Sequence, residues 1–164
     1  MTSPLSSSGA TQPYPHHYRV RTALSAVGPA RLDAPGVVPI ESQPPPEFGG
    51  PPGHWSPETL LCAAVADCFV LSFRAVARAS RLDWQSLEVG VEGLLERTDD
   101  GPRFTRFTVS PRLCLGEGAS EVLARTILEK AKRSCLVSNS LRAESVLAPM
   151  VLVDCAQAAA APAA

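Results

Sequence analysis

Apolar and polar residues alternate with a period of two from Tyr18 to Leu24, where Tyr18, Val20, Thr22 and Leu24 are interleaved with Arg19, Arg21 and Ala23. This is the pattern of a strand with one buried face. A short partner strand is predicted near Val37 to Glu41, and Pro39, which has no ladder donor, confines it to an edge. Between Ser42 and Gly53, five prolines and three glycines make a stiff connecting loop. Beyond it, Ser56-Pro57-Glu58 marks a helix start: a Ser cap, a Pro in the first turn, and a carboxylate near the positive end of the dipole. The helix is predicted to run to about Ser80. From Leu60 to Phe73 it is apolar on nearly every face, so it is buried on most sides, either in a core or against a partner chain.

Leu87, Val89, Val91, Gly93 and Leu95 next alternate with residues that include Glu88, Glu92 and Glu96, which predicts a strand with an acidic outer face. Thr98 to Pro102 is turn chemistry. After it Phe107, Val109, Leu113 and Leu115 alternate with Arg106, Thr108, Ser110 and Arg112, so the two strands form a hairpin. Glu88, Glu92 and Glu96 are placed to face Arg106 and Arg112, in pairings worth about 0.2–1 kcal/mol each. A second helix starts near Ser120, spaces Val122, Leu123, Ile127, Leu128 and Ala131 along one side, and ends in Lys130, Lys132 and Arg133. Cys135 follows at once. A last strand, Val146 to Val153, contains Pro149 and is again an edge. Strands, helix, hairpin, helix and strand make an α+β domain over residues 16–155. Its flanks, 1–15 and 156–164, are rich in Ser, Thr, Pro, Gly or Ala and read as tails.

With 164 residues, 45% hydrophobic and 19% charged, the chain has the material for one full core and is unlike a disordered sequence. A net charge of −1 offers no bulk attraction to nucleic acid or to an acidic membrane surface. The stretch Leu60–Phe73, broken by Asp67, is shorter than the ~20 residues a membrane helix needs, so no span is expected. Met1 to Tyr14 shows no basic segment followed by an apolar run, and five cysteines is an odd number; together these predict reduced thiols in a cytoplasmic protein. Cys62, Cys114 and Cys155 are read as small buried hydrophobes, and a disulfide-bonded structural module is set aside. Cys62 and Cys68 lie about 240° apart around a helix, with no His at ligand spacing, while His16, His17 and His54 fall in tail or loop. No metal or other cofactor is expected.

The run Ser56-Pro57-Glu58-Thr59-Leu60-Leu61, followed by Ala66-Asp67-Cys68-Phe69, resembles the "N-P-E-x-L, then A-C-F" helix of the OsmC/Ohr family of thiol-dependent peroxidases. Cys135-Leu136-Val137-Ser138-Asn139 is similar to that family's second cysteine motif, and Ser86-Leu87-Glu88-Val89 and Phe104-Thr105-Arg106 match in type and order. The resemblance implies an intertwined homodimer in which two long central helices pack against antiparallel sheets, with active sites at the interface. It also implies that a Cys68 thiolate attacks the terminal oxygen of an organic hydroperoxide and becomes a sulfenic acid. Cys135 condenses with that acid to give a disulfide, and an external dithiol reduces it. Such a bond requires the two Cα atoms to come within ~7 Å.

Glu58 matches the family's catalytic glutamate, which holds an arginine that stabilises the thiolate. Ten residues of continuous helix rise ~15 Å, so Glu58 serves a site through the partner chain, or through a break in the helix. Arg31 lies in the right N-terminal region for the arginine, and Arg19 or Arg21 substitute for it if their strand faces inward. Asp67 stands where the family usually has a small residue, and its carboxylate disfavours a neighbouring thiolate. Buried in so apolar a helix, Asp67 calls for a partner, an N-terminal Arg of the other chain. The competing expectation is a non-catalytic dimer of the same fold that binds a small apolar ligand at the interface.

Overall fold

The computed structural model describes residues 12–153 and residue 155. Residues 1–11, 154 and 156–164, and with them most of both expected tails, lie outside the described residues. The chain divides into two compact units, Met1–His54 and Trp55–Ala164.

The first unit is an antiparallel sheet of three short strands, β1 (Arg21–Ala23), β2 (Ala30–Asp33) and β3 (Ile40–Ser42), in that order. β2 is absent from the sequence reading, which paired the first strand directly with the Val37–Glu41 region. Gly28 and Gly36 adopt positive φ (100° and 77°) in the two connections, a conformation open to glycine at little cost, and so let the chain reverse on either side of β2. β3 is an edge strand, just beyond Pro39. Tyr18, Val20 and Leu24 are 90%, 67% and 72% exposed, so the expected buried face of the first strand does not form within one chain.

The second unit holds the buried apolar cluster. α1 (Pro57–Ala79) begins with a reciprocal cap: the Ser56 hydroxyl accepts the Thr59 N–H at 3.2 Å, and the Thr59 hydroxyl oxygen accepts the Ser56 N–H at 2.9 Å. Val65, Phe69, Phe73 and Ala77, spaced every four residues, form its fully buried stripe. The other sides are half-buried or exposed, Leu71 at 46%, so the near-complete burial expected of this helix is not achieved in a single chain. By length and composition α1 is apolar enough to cross a membrane, because it continues past Phe73 through further Ala and Val residues. This corrects the reading of Leu60–Phe73 as too short to span. The buried stripe, however, packs into a protein core.

β4 (Trp84–Thr98) and β5 (Gly101–Leu115) form the expected hairpin, on whose inner face Phe107, Val109, Leu113 and Leu115 are buried. A register shift between Leu94 and Leu95 breaks the alternation and leaves Leu95 40% exposed. The register sets Glu88 opposite Arg112, whereas Arg106 lies opposite Leu94 and pairs with Glu144 at 3.1 Å. Glu96 accepts a hydrogen bond from the Thr105 hydroxyl. The expected facing is thus formed at Glu88 and Arg112, though no ion pair joins them among the described residues, while the same register sets Arg106 between Glu92 and Glu96 and the bulge beyond it places Glu96 opposite Arg103.

α2 (Glu121–Ser134) is capped by Ser120 and buries Ala124, Ile127, Leu128 and Ala131. Val122 and Leu123, expected on that face, are 77% and 38% exposed; Ala124 takes the inner position one turn before Leu128. A four-residue helix α3 (Leu136–Asn139) follows. The predicted last strand is split by the Ala148-Pro149 step into β6 (Glu144–Leu147) and β7 (Met150–Leu152), and both pair in parallel with β5. Phe73 is fully buried and meets Trp84 edge to face at 5.2 Å. Phe73→Ala is therefore expected to lower stability by about 3–5 kcal/mol in urea unfolding at fixed protein concentration, and a loss near zero would place the core elsewhere.

Candidate active site

Two of the three sequence-predicted site residues come together. Cys135 is the last residue before α3 and also ends α2, where its N–H donates to Lys132 O at 3.2 Å. This corner carries the thiol into the core, where it is 1% exposed and lies 4.0 Å from the Val65 carbonyl oxygen on α1. Val65 is one turn before Cys68, and the Cys68 thiol is a direct neighbour of the Cys135 thiol. The Ser138 hydroxyl donates to Cys135 O at 3.2 Å and fixes the α3 end of the corner.

Burial pushes the Cys135 thiol up from its ordinary pKa; hydrogen bonding with Ser138 opposes the shift, and the neighbouring Cys68 thiol adds to it. Cys135 is thus held protonated at neutral pH, while Cys68 is half-buried. Cys62 is half-buried too, its thiol pushed up by burial against a lesser opposing hydrogen bond from the Gly93 backbone. It lies away from the other two thiols, where a Cβ on Gly93 would meet its sulfur.

Glu58 does not join the two thiols. α1 is unbroken from Pro57 to Ala79, which excludes the route through a helix break and leaves the carboxylate ~15 Å along the axis from Cys68. One carboxylate oxygen, Oε2, is nonetheless buried without a hydrogen-bond partner. Within the single chain Asp67 is exposed, so its carboxylate needs no partner from its own chain. The helix explains it: Asp67 lies about 200° from both Val65 and Phe69, on the side away from the buried stripe. Arg31, on β2, is paired within its own unit to Asp33 at 3.2 Å. Arg19 and Arg21 line a cavity of about 470 Å³ together with Asp33. Among the described residues, no three His, Cys, Asp or Glu side chains gather at metal-ligand spacing.

The structure corrects the reading of Cys114 and Cys155 as isolated small hydrophobes. The two form a disulfide with Cα atoms 6.1 Å apart, tying the end of β5 to the residue that follows β7 by three positions. An odd cysteine count allows this: one bonded pair leaves three free thiols, Cys62, Cys68 and Cys135. The available signal was the placement of Cys114 at the end of the second hairpin strand and of Cys155 just after the closing strand.

Residues 50–148 match the model of the OsmC-like protein family. The chain belongs to the OsmC/Ohr family. It is 27% identical over 101 residues to the uncharacterized protein YmaD of Bacillus subtilis, covering 60% of this chain and 67% of that one. Among solved structures, it resembles an OsmC-like protein of unknown function from Vibrio cholerae, with a TM-score of 0.76 at 17% identity over 82% of this chain and 99% of the other. An organic hydroperoxide resistance protein OsmC from Legionella pneumophila, described as a predicted redox protein, gives a TM-score of 0.67 at 22% identity over 84% and 98%. Likeness at these identities shows the OsmC fold.

Two outcomes are expected from this geometry. Alkylation by iodoacetamide, read peptide by peptide, has its pH midpoint above that of free cysteine at Cys62 and Cys135, since raised pKa values keep both thiols neutral at pH 7–8; midpoints at or below free cysteine would contradict the burial. The Cys114–Cys155 bond closes 41 residues of chain and borders a cavity of about 300 Å³, open to a small reductant. Its reduction is expected to lower stability by roughly 2–4 kcal/mol in urea, an increment absent from the C114S/C155S double variant.

Proposed function

We propose that this OsmC/Ohr-family chain is a thiol-dependent peroxidase that reduces organic hydroperoxides. The observation that carries the proposal is the meeting of two reduced thiols, one half-buried and one sealed in the core, at the α1 and α2–α3 junction. The Cys68 thiolate attacks the terminal oxygen of ROOH, the O–O bond breaks, and RO⁻ leaves to take up a proton as ROH. The sulfur, now oxidised, is a sulfenic acid. Cys135 attacks that sulfur; its proton and the departing hydroxide form water, and a Cys68–Cys135 disulfide results. An external dithiol then reduces the disulfide by exchange. The protonated state of Cys135 supports this order, because a neutral thiol is a poor first nucleophile and meets an activated sulfur only after Cys68 has reacted.

The proposed working form is an intertwined homodimer. Glu58 lies too far from Cys68 of its own chain and has an unpartnered buried oxygen, which supports its use at the site of a second copy. The exposed sides of α1 and the exposed apolar residues Val20, Leu24, Val37 and Val38 of the first unit supply surface for a partner to cover. A second reading, a non-catalytic dimer that binds a small apolar ligand, is favoured by one observation: Arg31 is already engaged by Asp33 and so is not free for Glu58.

A slight excess of tert-butyl hydroperoxide separates the two. It is expected to consume two thiols per chain, leave Cys62 alkylatable, and yield a Cys68–Cys135 peptide pair. Cys68→Ser abolishes turnover, whereas Cys135→Ser undergoes one oxidation and is labelled by dimedone. An unchanged thiol count would overturn the peroxidase reading and favour the second.

A further inference from the structure

A half-open cavity of about 560 Å³ lies wholly within the second unit. It is bounded by the first turns of α1, the start of β5 and the segment leading into β6, and its volume is in the range of small-molecule sites. Leu61, Phe104, Phe107 and Leu141 form its apolar walls, and Arg103 and Arg142 place two guanidinium groups at them. Asp100 and Ala143 complete the lining. Phe107, 1% exposed, stacks on Phe104 with ring centroids 5.1 Å apart and backs it, so the half-buried Phe104 ring forms the floor. Gly93 makes that floor possible, since a Cβ there would stand 2.9 Å from the Phe104 ring and from Cys62 Sγ, and 3.0 Å from Phe107.

Neither Arg103 nor Arg142 is ion-paired among the described residues, although Asp100 shares the lining. Two cations against one carboxylate leave a net positive charge over an apolar, aromatic floor. A neutral apolar ligand would cover the guanidinium groups without satisfying them, which is unfavourable. A bare inorganic anion would satisfy the guanidinium groups and leave the apolar walls in water. A cation would meet repulsion. We propose that this cavity binds an organic anion with a flat apolar body, its carboxylate, sulfonate or phosphate gripped by Arg103 and Arg142 and its body laid on Phe104 between Leu61 and Leu141. Forked guanidinium groups suit such oxyanions, with two parallel N–H···O bonds to each. The proposal uses neither Cys68 nor Cys135, so it stands or falls separately from the peroxidase reading.

Calorimetric titration of the full chain with 2-naphthoate, 2-naphthamide and inorganic phosphate tests it. One 2-naphthoate per chain is expected to bind about tenfold or more tightly than the uncharged amide or phosphate. The R103Q/R142Q double variant alters two exposed side chains, so the fold is kept. It is expected to bind 2-naphthoate about tenfold or more weakly and the amide unchanged. Equal affinity for acid and amide, phosphate binding as tight as 2-naphthoate, 2-naphthoate binding untouched by the double variant, or no saturable binding up to millimolar concentration would each overturn it.

Discussion

A single rigid rod sets the geometry of this protein. α1 runs 23 residues, with its only proline in the first turn and no glycine, and a reciprocal Ser56–Thr59 cap fixes where it starts. A helix of that kind has one available length per residue, and so the separation of Glu58 from Cys68 is a matter of arithmetic. No side-chain rotation closes ~15 Å. The helix can therefore bring Glu58 or Cys68 to one place but not both, and chemistry that needs this pair would have to draw on two helices. The same rod, through its Val65, Phe69, Phe73 and Ala77 stripe, anchors the core of the second unit, so stability and site spacing share one element.

The second constraint is the corner at Cys135. α2 ends and α3 begins on the same residue, whose extended backbone (φ −71°, ψ 102°) turns the chain inward. A cysteine there is carried into the core beside Cys68 with its backbone already engaged at both neighbouring turns. Burial separates the two thiols: the more deeply buried one holds its proton, and on the proposed peroxidase reading the half-buried one is the first to meet the oxidant. Cys62 is kept out of this exchange by angle as much as by burial, since it points about 240° around the helix from Cys68, toward Gly93.

Much of this could be read from residue patterns because it depends on local chemistry. The Ser56 cap, the period-two alternation of the hairpin and the cations closing α2 each reflect interactions within a few residues. The failures share a different cause: they depend on partners far along the chain. β2 is only four residues long, too short for its Ala30-Arg31-Leu32-Asp33 alternation to mark a strand alone, and it is held by pairing with β1 and β3. Val122 and Leu123 have the spacing of a core face, but the side chosen is the one with Ala124, whose small side chain can lie inward one turn before Leu128. Cys114 and Cys155 are 41 positions apart and meet only because β7 runs parallel to β5.

That disulfide also clarifies what the free thiols can do. Five cysteines able to exchange freely would permit several pairings, and an oxidised Cys68 would have more than one thiol to react with. With Cys114 and Cys155 bonded across the β5–β7 end of the sheet, and Cys62 turned toward the hairpin, one thiol remains beside Cys68. The restriction is geometric before it is electronic. On the proposed peroxidase reading, a sulfenic acid on this rigid helix would meet whichever thiol the fold has placed next to it, and the α2–α3 corner places Cys135 there. Burial of Cys135 disfavours its ionisation, and in the proposed reaction proximity would compensate, because attack within one folded chain needs no encounter in solution. Partner selection in this chain thus follows from where two helices end and one begins.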